Sequence, residues 1–104
     1  MEFILNKNTL KDNVYNLIRK AGYRFQEKDE KNSEWIFVRP LYKNGYPRFH
    51  LYIKNTAKNL IFDLHLDQKK PIYSGVPAHS GEYEGEVVET EAERIKEKMK
   101  YVNT

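Results

Sequence analysis

Two histidines and two aspartates carry the strongest chemical signal in this chain. Asp63, His65 and Asp67 recur at every second residue, and His50 sits in a neighbouring stretch of the same alternating character. A strand turns alternate side chains to one face, so this spacing puts Asp63, His65 and Asp67 on one side. Imidazole exchanges a proton near neutral pH, and a carboxylate beside it fixes its tautomer. His50, His65 and Asp63 are therefore the candidate catalytic residues, as general acid and base. The third histidine, His79, lies in Ala78-His79-Ser80-Gly81-Glu82-Tyr83. If that stretch folds back across the sheet, His50, His65, His79 and Glu82 supply the ligand types of zinc, manganese or iron. No HExxH-like spacing fixes such a site. The plain alternative is that the histidines donate to neighbouring carboxylates or carbonyls and support packing.

A second set is basic and aromatic. Arg48, Tyr52, Lys69, Lys70 and Tyr73 are the candidate nucleic-acid contacts, with Arg39, Tyr42, Lys43, Tyr46 and Lys54 around them. Aromatic rings stack on unpaired bases while Lys and Arg meet the phosphates. The formal net charge is +3 and the chain has 8 tyrosines. Both features favour RNA or another polyanion as partner. Glu82, Glu84, Glu86, Glu89, Glu91 and Glu93 form an opposing acidic patch. A third possibility is a protein-interaction module, with a tyrosine-rich patch buried at a symmetric interface.

The elements that must position these residues follow from periodicity. Residues 9–21 place Leu10, Val14, Leu17, Ile18 and Ala21 on one helical stripe, with Thr9 as N-cap and Gly22 as left-handed stop. Residues 23–33 begin as a short strand and become a charged loop. Residues 34–42 are rich in aromatic and β-branched residues and read as a strand; residues 47–54 and 60–67, where apolar residues alternate, read as two more, with short turns between them, one at Asn44-Gly45. Residues 68–86 form a long irregular stretch. Thr90 then caps a second helix in a Thr-x-x-Glu box, with Ala92, Ile95, Met99 and Val102 as its apolar face. The expected fold is α+β in two layers, α-β-β-β-α: a three-stranded antiparallel sheet with both helices on one face. Phe49, Leu51, Ile53, Leu60, Phe62, Leu64 and Leu66 turn toward the helices. His50, Tyr52, Asp63, His65 and Asp67 turn away from them.

Length and composition bound the rest. One hundred and four residues hold a single domain, 1–104, with little room for an enclosed cavity. The absence of cysteine excludes disulfides, thiolate metal sites and cysteine nucleophiles, and fits a cytoplasmic protein. The N-terminus lacks the basic start and apolar run of a signal peptide, and no stretch approaches a membrane span. The expected state is a monomer or homodimer.

The element order resembles two nucleic-acid-directed families. One is the double-stranded RNA-binding domain, which binds through its first helix, the loop between its first two strands, and lysines opening its last helix; here that helix opens Thr90-Glu91-Ala92-Glu93. The other is the HicA type of mRNA interferase, with a helix ending in Ala-Gly-aromatic and a catalytic histidine near the start of the second strand. Lys20-Ala21-Gly22-Tyr23 is similar to the first feature, and His50 falls in the matching strand. Arg48-Phe49-His50 stands where that family has Gly-Ser-His, and the Lys28-to-Tyr46 segment is longer. The resemblance implies an RNA-cleaving role for His50. Phe62-Asp63-Leu64-His65-Leu66-Asp67-Gln68-Lys69-Lys70-Pro71 and Ala78-His79-Ser80-Gly81-Glu82-Tyr83 also resemble a small microbial protein family, which brings no activity with it.

Overall fold

The structure is a computed structural model that describes residues 1–68 and 85–100. It contains five strands and two helices: β1 (Glu2–Asn6), α1 (Val14–Lys20), β2 (Arg24–Asp29), β3 (Glu34–Pro40), β4 (Arg48–Asn55), β5 (Asn59–Asp67) and α2 (Glu86–Met99). A single 3₁₀ turn, Lys7–Thr9, follows β1. The strands form one antiparallel sheet in the order β1-β5-β4-β3-β2. Strands β2 to β5 run as a meander. The chain enters at β1 on one edge and crosses the sheet through α1 to start the meander at β2 on the other.

The α+β class holds, and the three-stranded sheet is corrected to five strands. Both additions have physical reasons. In β1, Phe3 and Leu5 are buried between exposed Glu2, Ile4 and Asn6, the alternation of an edge strand with one face on the core. The aromatic ring of Phe3 stacks on Phe62 of β5, with centroids 4.8 Å apart. Strand β2 carries Arg24, Glu27, Lys28 and Asp29 and is exposed along most of its length. It holds its place through the β3 ladder, interrupted by a bulge between Phe25 and Glu27.

Both helices start elsewhere than their cap signals imply. Asn13, not Thr9, caps α1, its side chain accepting the Asn16 N–H at 2.9 Å. Thr9 belongs to the 3₁₀ turn, where its hydroxyl donates to the Asn6 carbonyl. Gly22 does end α1 with φ +101°, the Tyr23 N–H returning to Ile18 and the Gly22 N–H to Arg19. Helix α2 begins one turn before Thr90, behind Gly85, with Glu86 and Glu89 at its positive end. Thr90 is therefore an interior helical residue. Val102 lies outside the described residues.

Both helices pack on one side of the sheet. Leu17 and Ile18 of α1 and Val88, Ala92, Ile95 and Met99 of α2 join Phe37, Leu51, Leu60, Phe62 and Leu64 in a single core. Among the described residues one charged side chain enters this layer. Glu91, 5% exposed, accepts from the Tyr23 hydroxyl at 2.6 Å and from Arg94 Nε at 2.7 Å, with Arg39 at 3.4 Å. Arg94 also donates to the Ala21 carbonyl at 2.6 Å. A buried carboxylate is tolerated only when its oxygens are satisfied in this way. Burial, then the charge of Glu91 and the hydrogen bond to it, push the Tyr23 phenol well above its usual range, so it remains a donor.

Candidate acid–base site on the helix-free sheet face

The pleat decides which side chains meet on the other face. On β4, Arg48, His50 and Tyr52 alternate with buried Phe49, Leu51 and Ile53. On β5, Ile61, Asp63, His65 and Asp67 alternate with buried Leu60, Phe62, Leu64 and Leu66. The register pairs His50 with His65, Tyr52 with Asp63, and Arg48 with Asp67. Directly opposed residues have Cβ atoms roughly 5 Å apart, so the two imidazoles are cross-strand neighbours. Toward β3 the His50 row continues to Val38 and the Tyr52 row to Ile36. Both are buried, and they form an apolar border to the polar groups.

Each histidine has its own carboxylate. His50 Nδ1 lies 3.2 Å from Asp67 Oδ2, and His65 Nε2 lies 3.2 Å from Asp63 Oδ1. Each carboxylate has a cation as well: Arg48 Nε is 3.4 Å from Asp67, and the Met1 ammonium is 3.6 Å from Asp63. Tyr52 fills the space between, its ring nearly parallel to His50 at 4.9 Å and edge-on to His65 at 6.0 Å. Glu34, His50, Tyr52, Asp63, His65 and Asp67 line a shallow concavity of about 310 Å³.

The electrostatics fix the proton on one ring nitrogen. Partial burial opposes the charged form of Asp67, but hydrogen bonding and charge from His50 and Arg48 outweigh it and hold the carboxyl below its ordinary value. Asp67 is thus an ionised acceptor, and the Nδ1–H of His50 donates to it. The other ring nitrogen, Nε2, is buried and has no hydrogen-bond partner among the described residues. Burial, followed by Asp67, Glu34, Asp63 and Glu27, raises the Tyr52 phenol above its usual value, so it stays protonated at neutral pH.

The sequence-derived candidates divide accordingly. His50, His65, Asp63, Arg48 and Tyr52 share this face, and Asp67 joins them as the partner of both His50 and Arg48. Lys69, Lys70, Tyr73, His79 and Glu82 lie outside the described residues. Among the described residues no group of three or more His, Asp or Glu side chains is arranged to hold a metal ion. Glu34 was not singled out by its sequence. The signal available for it was parity with Ile36 on β3, which places it on the polar face once the register Glu34 to Lys54 is known. Glu91, counted by sequence in the acidic patch opposing the basic residues, is buried. No described helix is long and apolar enough to cross a membrane. Comparison with protein-family models, curated proteins and solved structures finds no match to this chain.

Proposed function

We propose that this chain engages single-stranded RNA across the helix-free sheet face and that His50 and His65 act there as an acid–base pair. The observation that carries the reading is the opposition of two imidazoles across one strand pair, each held by a separate carboxylate. Two histidines in this relation supply both halves of phosphodiester cleavage. A ribose 2′-hydroxyl gives its proton to the neutral imidazole of the pair and its oxygen attacks the adjacent phosphorus. Its protonated partner delivers a proton to the departing 5′-oxygen, leaving a 2′,3′-cyclic phosphate. Arg48 and Lys54 on β4, and Arg24 on β2, supply the positive charge that phosphates require, and the Tyr52 ring offers a stacking surface. On this reading the protein works in the cytoplasm.

The test is a titration of labelled single-stranded and duplex RNA at low and moderate salt, with cleavage products resolved in parallel. Wild-type protein should bind the single strand with a negative salt slope and release cyclic-phosphate ends. His50→Ala and His65→Ala should each lower cleavage by about 100-fold or more while the fold, read by circular dichroism, is retained. Binding without cleavage limits the face to recognition. No binding at micromolar protein in low salt overturns the proposal.

A further inference from the structure

The two edges of the sheet are built differently. Strand β2 bears Arg24, Glu27, Lys28 and Asp29 and a bulge, features that discourage another strand from pairing with it. Strand β1, Glu2-Phe3-Ile4-Leu5-Asn6, has a single charged residue and an unbroken register. At its centre Ile4 is 56% exposed, and Ile61 of β5 lies beside it on the same face.

The backbone of β1 shows which groups point outward. The Met1 ammonium donates to the Leu64 carbonyl and the Leu64 N–H to the Met1 carbonyl, while the Lys7 N–H donates to Lys58. Odd-numbered residues therefore face β5, and the alternation of an antiparallel ladder turns the amides of Glu2, Ile4 and Asn6 toward the open edge. We infer that this edge pairs with the same edge of a second copy, antiparallel about Ile4, to give a homodimer with one continuous sheet. In that register Ile4 faces its own copy, and Glu2 of one copy faces Asn6 of the other. All three outward pairs are then hydrogen-bonding pairs. No like charges meet, and the exposed isoleucine is covered by its twin. The Asn6 carbonyl already accepts from the Thr9 hydroxyl, and its second lone pair serves the new bond. An unrelated strand would have no reason to match this symmetry, which is why the occupant is a second copy.

Sedimentation velocity over a concentration series, with two sets of variants, tests the inference. Wild-type protein should pass from monomer to dimer with rising concentration. Asn6→Asp retains an oxygen for the 3₁₀ turn but sets a carboxylate against Glu2 at both ends, and the dimer should be lost. Adding Glu2→Lys to that variant should restore it. The chain has no cysteine, so single substitutions report geometry cleanly. Ile4→Cys sits on the two-fold axis, where opposed Cα atoms are about 5.5 Å apart and suit a disulfide. It should cross-link on mild oxidation. Glu2→Cys, whose copies would be roughly 13 Å apart along the strands, should not. If Asn6→Asp proves unfolded by circular dichroism, the two cysteine variants decide. A protein that remains monomeric throughout, a dimer indifferent to Asn6→Asp, or equal cross-linking at Glu2→Cys and Ile4→Cys each overturns the inference.

Discussion

Asp67 is the residue on which the candidate site turns, because it holds both His50 and Arg48. Its depressed pKa means that the folded protein binds a proton there less readily than the unfolded chain does. The resulting stabilisation is fully present above the ordinary carboxylate value of about 4 and is lost as pH falls through the lower folded value. Asp67→Asn removes this contribution. The variant should be less stable than wild type by roughly 1 kcal/mol at neutral pH, a modest figure because the pair is partly solvated. The gap should close progressively below about pH 4. Urea unfolding at a series of pH values measures it, and a gap that is constant down to strongly acid pH would contradict the assignment. The parity of His65, Asp63 and Asp67 was legible in the sequence because side-chain direction in a strand depends only on counting. Which carboxylate serves which histidine was not. That depends on the β4–β5 register and on side-chain reach, and the structure gives Asp67 to His50 rather than to its own strand neighbour His65.

At the scale of elements, the boundaries of the two helices show where local rules were overruled. Asn13 and Gly22 frame α1, while Thr90 lies inside α2. Asn13→Ala should cost about 1 kcal/mol, since it removes the acceptor for the Asn16 N–H. Gly22→Ala should cost at least as much, because φ is +101° and an added Cβ would meet Arg39 Nε at 3.2 Å. Arg39 is one of the partners of buried Glu91, so the strain cannot be relieved without cost. Thr90→Ala should be neutral or slightly stabilising, as alanine favours a helix interior. Equilibrium urea unfolding ranks the three, and a large loss at Thr90 would restore the capping-box reading. Strand β3 was legible as a run of aromatic and β-branched residues, and β4 and β5 by apolar residues at every second position. Strand β1 has the same alternation in Phe3 and Leu5, but five residues are too few to stand out. Strand β2 has little apolar pattern to read, since tertiary pairing with β3 creates it. Glu91 was illegible for a related reason: its partners Tyr23, Arg39 and Arg94 come from three different segments.

For the whole molecule, the order of strands sets the order of stability. Strands β4 and β5 are flanked on both sides, and their buried faces carry Leu51, Ile53, Phe62 and Leu64 at the centre of the core. The sheet is completed on one side by β1, whose ladder joins residues as far apart as Met1 and Leu64, so this contact forms only when the chain has closed on itself. On the other side β2 is bound by one ladder, bears few buried side chains and touches α1 only lightly. Amide hydrogen exchange should therefore be slowest in β4 and β5, where opening requires global unfolding. It should be faster by orders of magnitude in β2 beyond the bulge. Phe3, Leu5 and Lys7 turn their amides to β5 and should resemble the centre, whereas Glu2, Ile4 and Asn6 turn theirs outward. In dilute protein those three should exchange quickly. With rising concentration they should slow if the edge pairs with its copy, and the inward amides should change far less. The even–odd contrast within one short strand separates edge pairing from a general gain in stability, which would slow all six residues together.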